Sequence, residues 1–230
     1  MRVLDELGRL AELAEGQLGS FTEAQAASYG VSPDTLAELR RAGVCEEVSS
    51  VPGVLRLCAG GRHPFPRVFA RWLALAPEQP AWTRAVPETG VVVGNSAAHV
   101  HGAGGLPQNH TEFGLADTGA VTAGPGVVLT RTVLEPDEWT LVQGLPVTRP
   151  GRTFADIATG PGVDLTDVEK LATAFLLTGA ADKAELAAGI DRHLRRNGLA
   201  GDGRAWLDDL LAGADDAPVS PEGPGGHGTR

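Results

Sequence analysis

No apolar run in this chain goes far before a glycine, a proline or an arginine cuts it. With 31 Gly and 16 Pro among 230 residues, the elements must be short and the turns many. Nothing approaches the ~20 apolar residues that a bilayer-crossing helix needs. The first residues, MRVLDELGRLAELAEG, carry acids every few positions and lack the apolar core of a signal peptide. The hydrophobic share of 42% still suffices for one sizeable core, or for a small unit joined to a larger one. Two cysteines, Cys45 and Cys58, are too few for a disulfide framework and lack CxxC spacing. The expectation is a soluble, cytoplasmic protein with no membrane partner.

The first 60 residues read as three short helices and a hairpin. Val3, Leu7, Leu10 and Ala14, with Leu4 and Ala11 beside them, recur at helical spacing until Gly16. Thr22 opens a second helix, with Gln25 completing a capping box, and Gly30 closes it. Ser32 caps a third helix with Pro33 at its first position; Leu36 and Leu39 point inward and Gly43 terminates it. VCEEV, a turn around Pro52-Gly53, and VLRLC then read as two strands, with Cys45 and Cys58 as cross-strand neighbours. This is the element order of a winged helix-turn-helix.

Beyond a Pro-punctuated connector at 62–66, a helix is expected from Pro66 to Ala76, apolar through Phe65, Phe69, Trp72 and Leu73. Strands are expected at 91–93, 112–116 and 127–131, a helix at 96–101, and a hairpin turn at Gln143-Gly144. Helices should return near 152–158, 165–178, 182–196 and 203–212. The expected architecture is α/β (α+β): a winged helix-turn-helix at 1–61 and a mixed α/β domain with C-terminal helices at 62–212. The tail at 213–230 has almost nothing to bury and is expected to be disordered.

Charge narrows the choice of partner. Nineteen basic against 29 acidic residues give a net charge of −10, which opposes broad binding to nucleic acid or anionic membranes. One window departs from this. Between Glu47 and Glu78 there is no acid, but there are Arg56, Arg62, Arg67 and Arg71, with His63 among them. A phosphate-facing surface is to be sought there.

Three segments, VVVGNSAAHVHGAGGLP, EFGLA and GLPVTRPGRTFADIA, follow the hairpin in that order. Ser96-Ala97-Ala98 with His101-Gly102, and Thr148 through Asp156, are their most specific parts. Over roughly residues 5–200 this order resembles the AbiEi-type antitoxins and viral-defence transcriptional regulators. The resemblance implies an N-terminal DNA-binding domain and an antitoxin-like second domain. Such a protein represses its own operon and opposes a nucleotidyltransferase-like toxin; because the surface is acidic, binding is expected only on double-stranded operator repeats, with self-association on DNA. No catalysis and no cofactor are implied. The helix at 32–42 departs from the family in offering Asp34 and Glu38 before Arg40 and Arg41, and Glu46 and Glu47 lie on the first wing strand.

The candidate DNA contacts are Ser32 and Thr35 for base edges or phosphates, and Arg40, Arg41 and Arg56 for the backbone. Arg62, Arg67 and Arg71 either add phosphate contacts, or form a solvated helix face or salt bridges to the acidic C-terminal helices. If the winged helix has degenerated, the chain is instead a protein-interaction module. A third reading, a serine hydrolase on Ser96, founders on an incomplete nucleophile elbow; Asn95 or Ser96 as an N-cap accounts for the same residues. His99, His101 and His110 lack ligand spacing for a metal, and His101 reads as a hydrogen-bonded histidine at a helix end. Arg152 and Asp156 read as a structural i, i+4 pair.

Overall fold

The computed structural model describes residues 2–48, 51–105 and 110–215. Helix α1 (Arg2–Glu15) buries Leu10, Leu13 and Ala14. Leu4 is 71% exposed. At about 100° per residue it lies ~120° from Leu10, outside the stripe, whereas Glu6 falls inside it. Strand β1 (Ser20–Thr22), which the sequence reading treats only as a helix cap, runs into α2 (Glu23–Ser28) through the expected Thr22–Gln25 capping box. Ser32 and Pro33 start α3 (Pro33–Arg41), and Leu36 and Leu39 are buried beneath it. Strands β2 (Cys45–Glu47) and β3 (Val54–Leu57) pair antiparallel, and β1 joins β3 on its other edge. In this register Cys45 faces Leu57, so the expected Cys45–Cys58 pairing across the strands is not formed. Cys58 lies one residue beyond β3 and is exposed, Cys45 is buried, and both are free thiols.

Helix α4 (Pro66–Leu75) packs against β1 and β3. Its buried face also belongs to the core of a second sheet, made of β4 (Val91–Val92), β5 (Thr111–Leu115), β6 (Val127–Arg131), β7 (Trp139–Val142) and β8 (Leu145–Thr148). The strand order is β6-β5-β4-β8-β7, with β4–β8 and β5–β6 parallel and the other pairs antiparallel. Gln143 and Gly144 both take positive φ, 52° and 80°, which is the turn a tight β7–β8 hairpin requires. Between β4 and β5, α5 runs Gly94–Val100, two residues earlier than expected.

Helices α6 (Pro150–Ala158), α7 (Leu165–Thr178), α8 (Lys183–Arg196) and α9 (Gly203–Asp215) enclose a further core around Phe154, Leu171, Phe175, Leu186 and Ile190. Helix α9 continues three residues past the expected boundary at 212, and the tail from 216 lies outside the described residues. The small sheet contributes to a different core from each of its two faces. Phe21, Leu55 and Leu57 meet α1–α3, while Val48, Val51 and Val54 enter the core of α4 and the second sheet. No helix among the described residues is long and apolar enough to cross a membrane.

Candidate nucleic-acid interface and arginine cleft

The eight residues singled out for DNA do not form one surface. Glu6 organises the start of α3: its Oε2 accepts from the Ser32 N–H at 2.8 Å and from the Ser32 hydroxyl at 3.0 Å, while Arg2 Nε donates to Oε1 at 2.8 Å. The Ser32 N–H first, then Arg2 and Thr35, hold the Glu6 carboxyl down to about 2. Thr35 is only 4% exposed, with its N–H on Ser32 Oγ. It is therefore not offered to base edges; this corrects the assignment made from its place on the helix. The solvent face of α3 is Asp34, Ala37, Glu38 and Arg41, with Arg40 exposed beside it. Arg40 reaches back to Glu23 on α2 at 2.9 Å. Arg41 has no ion pair among the described residues.

Strand alternation separates Arg56 from this helix face. Leu55 and Leu57 point toward α1–α3, so Val54 and Arg56 point the other way. Arg56 pairs with its cross-strand neighbour Glu46. There it joins Arg62, Arg67 and Arg71 around a cleft of about 350 Å³ between the β2–β3 hairpin, α4 and β5. Pairing of these last three with acids on α7–α9 is not found among the described residues, which corrects that alternative. Arg71 Nη1 donates to Thr111 Oγ1 at 2.8 Å, and its Nε is buried without a hydrogen-bond partner. Burial, and then the charge of Arg67, push the Arg71 guanidinium below its ordinary value.

His63 is not part of this cationic lining. It is buried and stacked on Phe69 at 4.4 Å between ring centres. Its Nδ1 accepts from the Phe65 N–H, so its Nε2 carries the proton toward Gln143 O at 3.1 Å. Burial depresses its pKa, which keeps it neutral and ties the connector to the β7–β8 turn.

The residues behind the family resemblance turn out to be joints of the fold. Ser96 does not cap α5; Val93 holds that position, and Ser96 Oγ accepts from the Glu112 N–H at 3.1 Å. Ser96 Oγ donates in turn to His110 O at 3.4 Å, so the hydroxyl bonds main-chain groups at the start of β5. His101, at the end of α5, donates from Nε2 to Thr148 O at 2.7 Å, and burial lowers its pKa. His110 meets Glu112 at 3.0 Å. Among the described residues no three His, Cys, Asp or Glu side chains converge as a metal site.

The Arg152–Asp156 pair is present, with Arg152 Nε 2.8 Å from both carboxylate oxygens. It belongs to a larger network that sequence reading missed. The buried Glu138 takes Arg152 Nη1 at 2.9 Å and Arg196 Nη2 at 2.7 Å, and Arg192 spans to Asp137 at 2.9 Å. Glu138 and Arg196 are 58 residues apart, and only their acidic and basic clusters, Glu135–Glu138 and Arg192–Arg196, hinted at the match. A small cavity of about 110 Å³ lies beside them, lined by four arginines against three acids. Burial pushes the Glu138 carboxyl up; the Glu135 N–H, Arg196 and Arg152 outweigh it, and the net shift is downward.

No protein-family model matches the chain, and no curated protein matches it.

Proposed function

We propose that the chain is a non-catalytic, DNA-binding transcriptional regulator: a repressor and antitoxin of a type IV-like toxin–antitoxin operon. Residues 1–61 act as the winged helix-turn-helix. The observation that carries this reading is the layout of α1, β1, α2, α3, β2 and β3. A short helix turns into α3, whose Leu36–Leu39 face docks on the core, and a three-stranded sheet backs the pair. That layout leaves the far side of α3 to enter a major groove. The antitoxin role and the nucleotidyltransferase-like partner follow from the motif resemblance, whose residues the fold uses as joints.

The charge on α3 sets the expected strength. Arg41 is available for a phosphate, Arg40 is shared with Glu23, and Asp34 and Glu38 oppose a polyanion. Binding should therefore need a repeated site and more than one protomer. Fluorescence anisotropy on a labelled duplex from upstream of its own gene, at several salt concentrations, tests this. Each phosphate contact contributes about 0.9 to the slope of log K against log salt. Replacing Arg40 and Arg41 with Ala should flatten that slope by about 1–2 units. Asp34→Asn should raise affinity for unrelated duplexes. Absence of binding at low salt, or an unchanged slope in the double variant, favours the protein-interaction module instead.

A further inference from the structure

The arginine cleft lies on the side of the small sheet away from α3, so its role is separable from a groove-reading helix. Its lining sets four arginines against two glutamates in a chain whose net charge is −10. One of those glutamates, Glu46, is taken up by Arg56. Arg62, Arg67 and Arg71 have no ion pair among the described residues. Arg67 and Arg71 stand one turn apart on α4 and line the same cavity, an arrangement that costs energy through like-charge repulsion unless an anion lies between them. Arg71 is also under-satisfied, with its Nε buried and unbonded, while Thr111 fixes the direction of its fork. Gly126 makes room for that fork: a Cβ there would come within 2.3 Å of Arg71 Nη2. One wall is apolar, formed by Pro64 and Phe65, with the His99 ring edge-on to Phe65 at 5.8 Å. A volume of about 350 Å³ suits a small molecule and not a duplex.

We infer that this cleft binds a small phosphomonoester of mononucleotide size, its phosphate held by Arg67 and Arg71 and its ring lying against Phe65. The excess of two positive charges in the lining matches the roughly −1.5 to −2 that a phosphomonoester carries near neutral pH. Forked guanidinium donors are the side chains best suited to such a group. The inference does not depend on whether α3 binds DNA.

Isothermal titration calorimetry of the full chain with 5′-AMP, inorganic phosphate and adenosine tests it. AMP should bind more tightly than phosphate, and adenosine should give no heat. Arg67→Ala should weaken AMP binding by about tenfold or more. Arg67 is exposed, so this variant should keep the wild-type melting temperature or exceed it. Arg204→Ala, on the exposed surface of α9, should bind AMP as the wild type does. No heat from AMP or phosphate at millimolar concentration overturns the inference. So does adenosine binding equal to AMP, or unaltered AMP affinity in Arg67→Ala. If Arg67→Ala instead loses duplex binding while the wild type ignores AMP, the arginines serve DNA phosphates and the inference falls.

Discussion

An acid placed inside an apolar helix stripe must find partners for its charge, and Glu6 finds them on the next helix but one. Because the Ser32 N–H and Arg2 hold its carboxyl down to about 2 from 4.5, the folded state binds this proton less readily than the unfolded chain. The stability so gained is complete above pH ~4.5 and is lost as pH falls toward ~2. Thermal melts between pH 2 and 7 should therefore show a steep loss in the wild type and a shallower one in Glu6→Gln; identical profiles would count against the clamp. Glu138 shifts in the same direction and adds to the acid lability. Asp156, raised by its burial, works in the opposite sense, contributing stability below the ordinary carboxylate range that is lost as pH rises. At neutral pH, Glu138→Gln should cost about 3 kcal/mol, since it leaves the largely buried Arg152, and with it the exposed Arg196, without their shared carboxylate. Urea denaturation measures this directly, and a loss under about 1 kcal/mol would mean that Asp137 and Asp156 take over.

Between elements, α6 and α8 cross with backbone against backbone. A Cβ on Gly189 would lie 2.0 Å from Gly151 O, and one on Gly151 would lie 2.5 Å from Glu185 O. Backbone meets backbone there, so no side chain can swing aside. Gly189→Ala should cost at least the 1–3 kcal/mol typical of overpacking, read as a lower urea midpoint. By contrast Gly8, on the outer side of α1, has open space around it, and Gly8→Ala should be neutral or slightly stabilising in the same assay. The Ser96 hydroxyl joins α5 to β5, beside a longer bond from the Ser96 N–H to Glu112 Oε2 at 3.5 Å. Ser96→Ala removes the acceptor of the part-buried Glu112 N–H and should destabilise by about 1–2 kcal/mol, checked by the same denaturation series.

For the whole molecule, the small sheet decides how the parts cooperate. Its two faces lie in different cores, and Val48, Val51 and Val54 share one of these with Trp72, Phe113 and Val147. The connector at 62–65 therefore does not divide two independent cores. Unfolding in urea should follow one transition when monitored by both tryptophan emission and far-UV circular dichroism. Two separated transitions would show that α1–α3 melt apart from the rest.

Periodicity and punctuation in the sequence determine most elements of this protein. Pro33, Pro66 and Pro150 sit at helix starts, Gly30 and Gly43 follow helices, and Gln143-Gly144 turns a hairpin, because each acts through the backbone of its own neighbourhood. The acid-free arginine window was also legible, since clustering is a property of the chain itself. Strand β1 was not, because three residues carry no period and exist as a strand only through pairing with β3. Nor was the division of the eight arginine, serine and threonine candidates between two faces, which follows from the side of β3 on which Arg56 falls. Glu6 with Ser32 and Glu138 with Arg196 are contacts across 26 and 58 residues. Only tertiary packing, by burying an acid and bringing a distant donor to it, decides which carboxylates stabilise the fold and which remain on its surface.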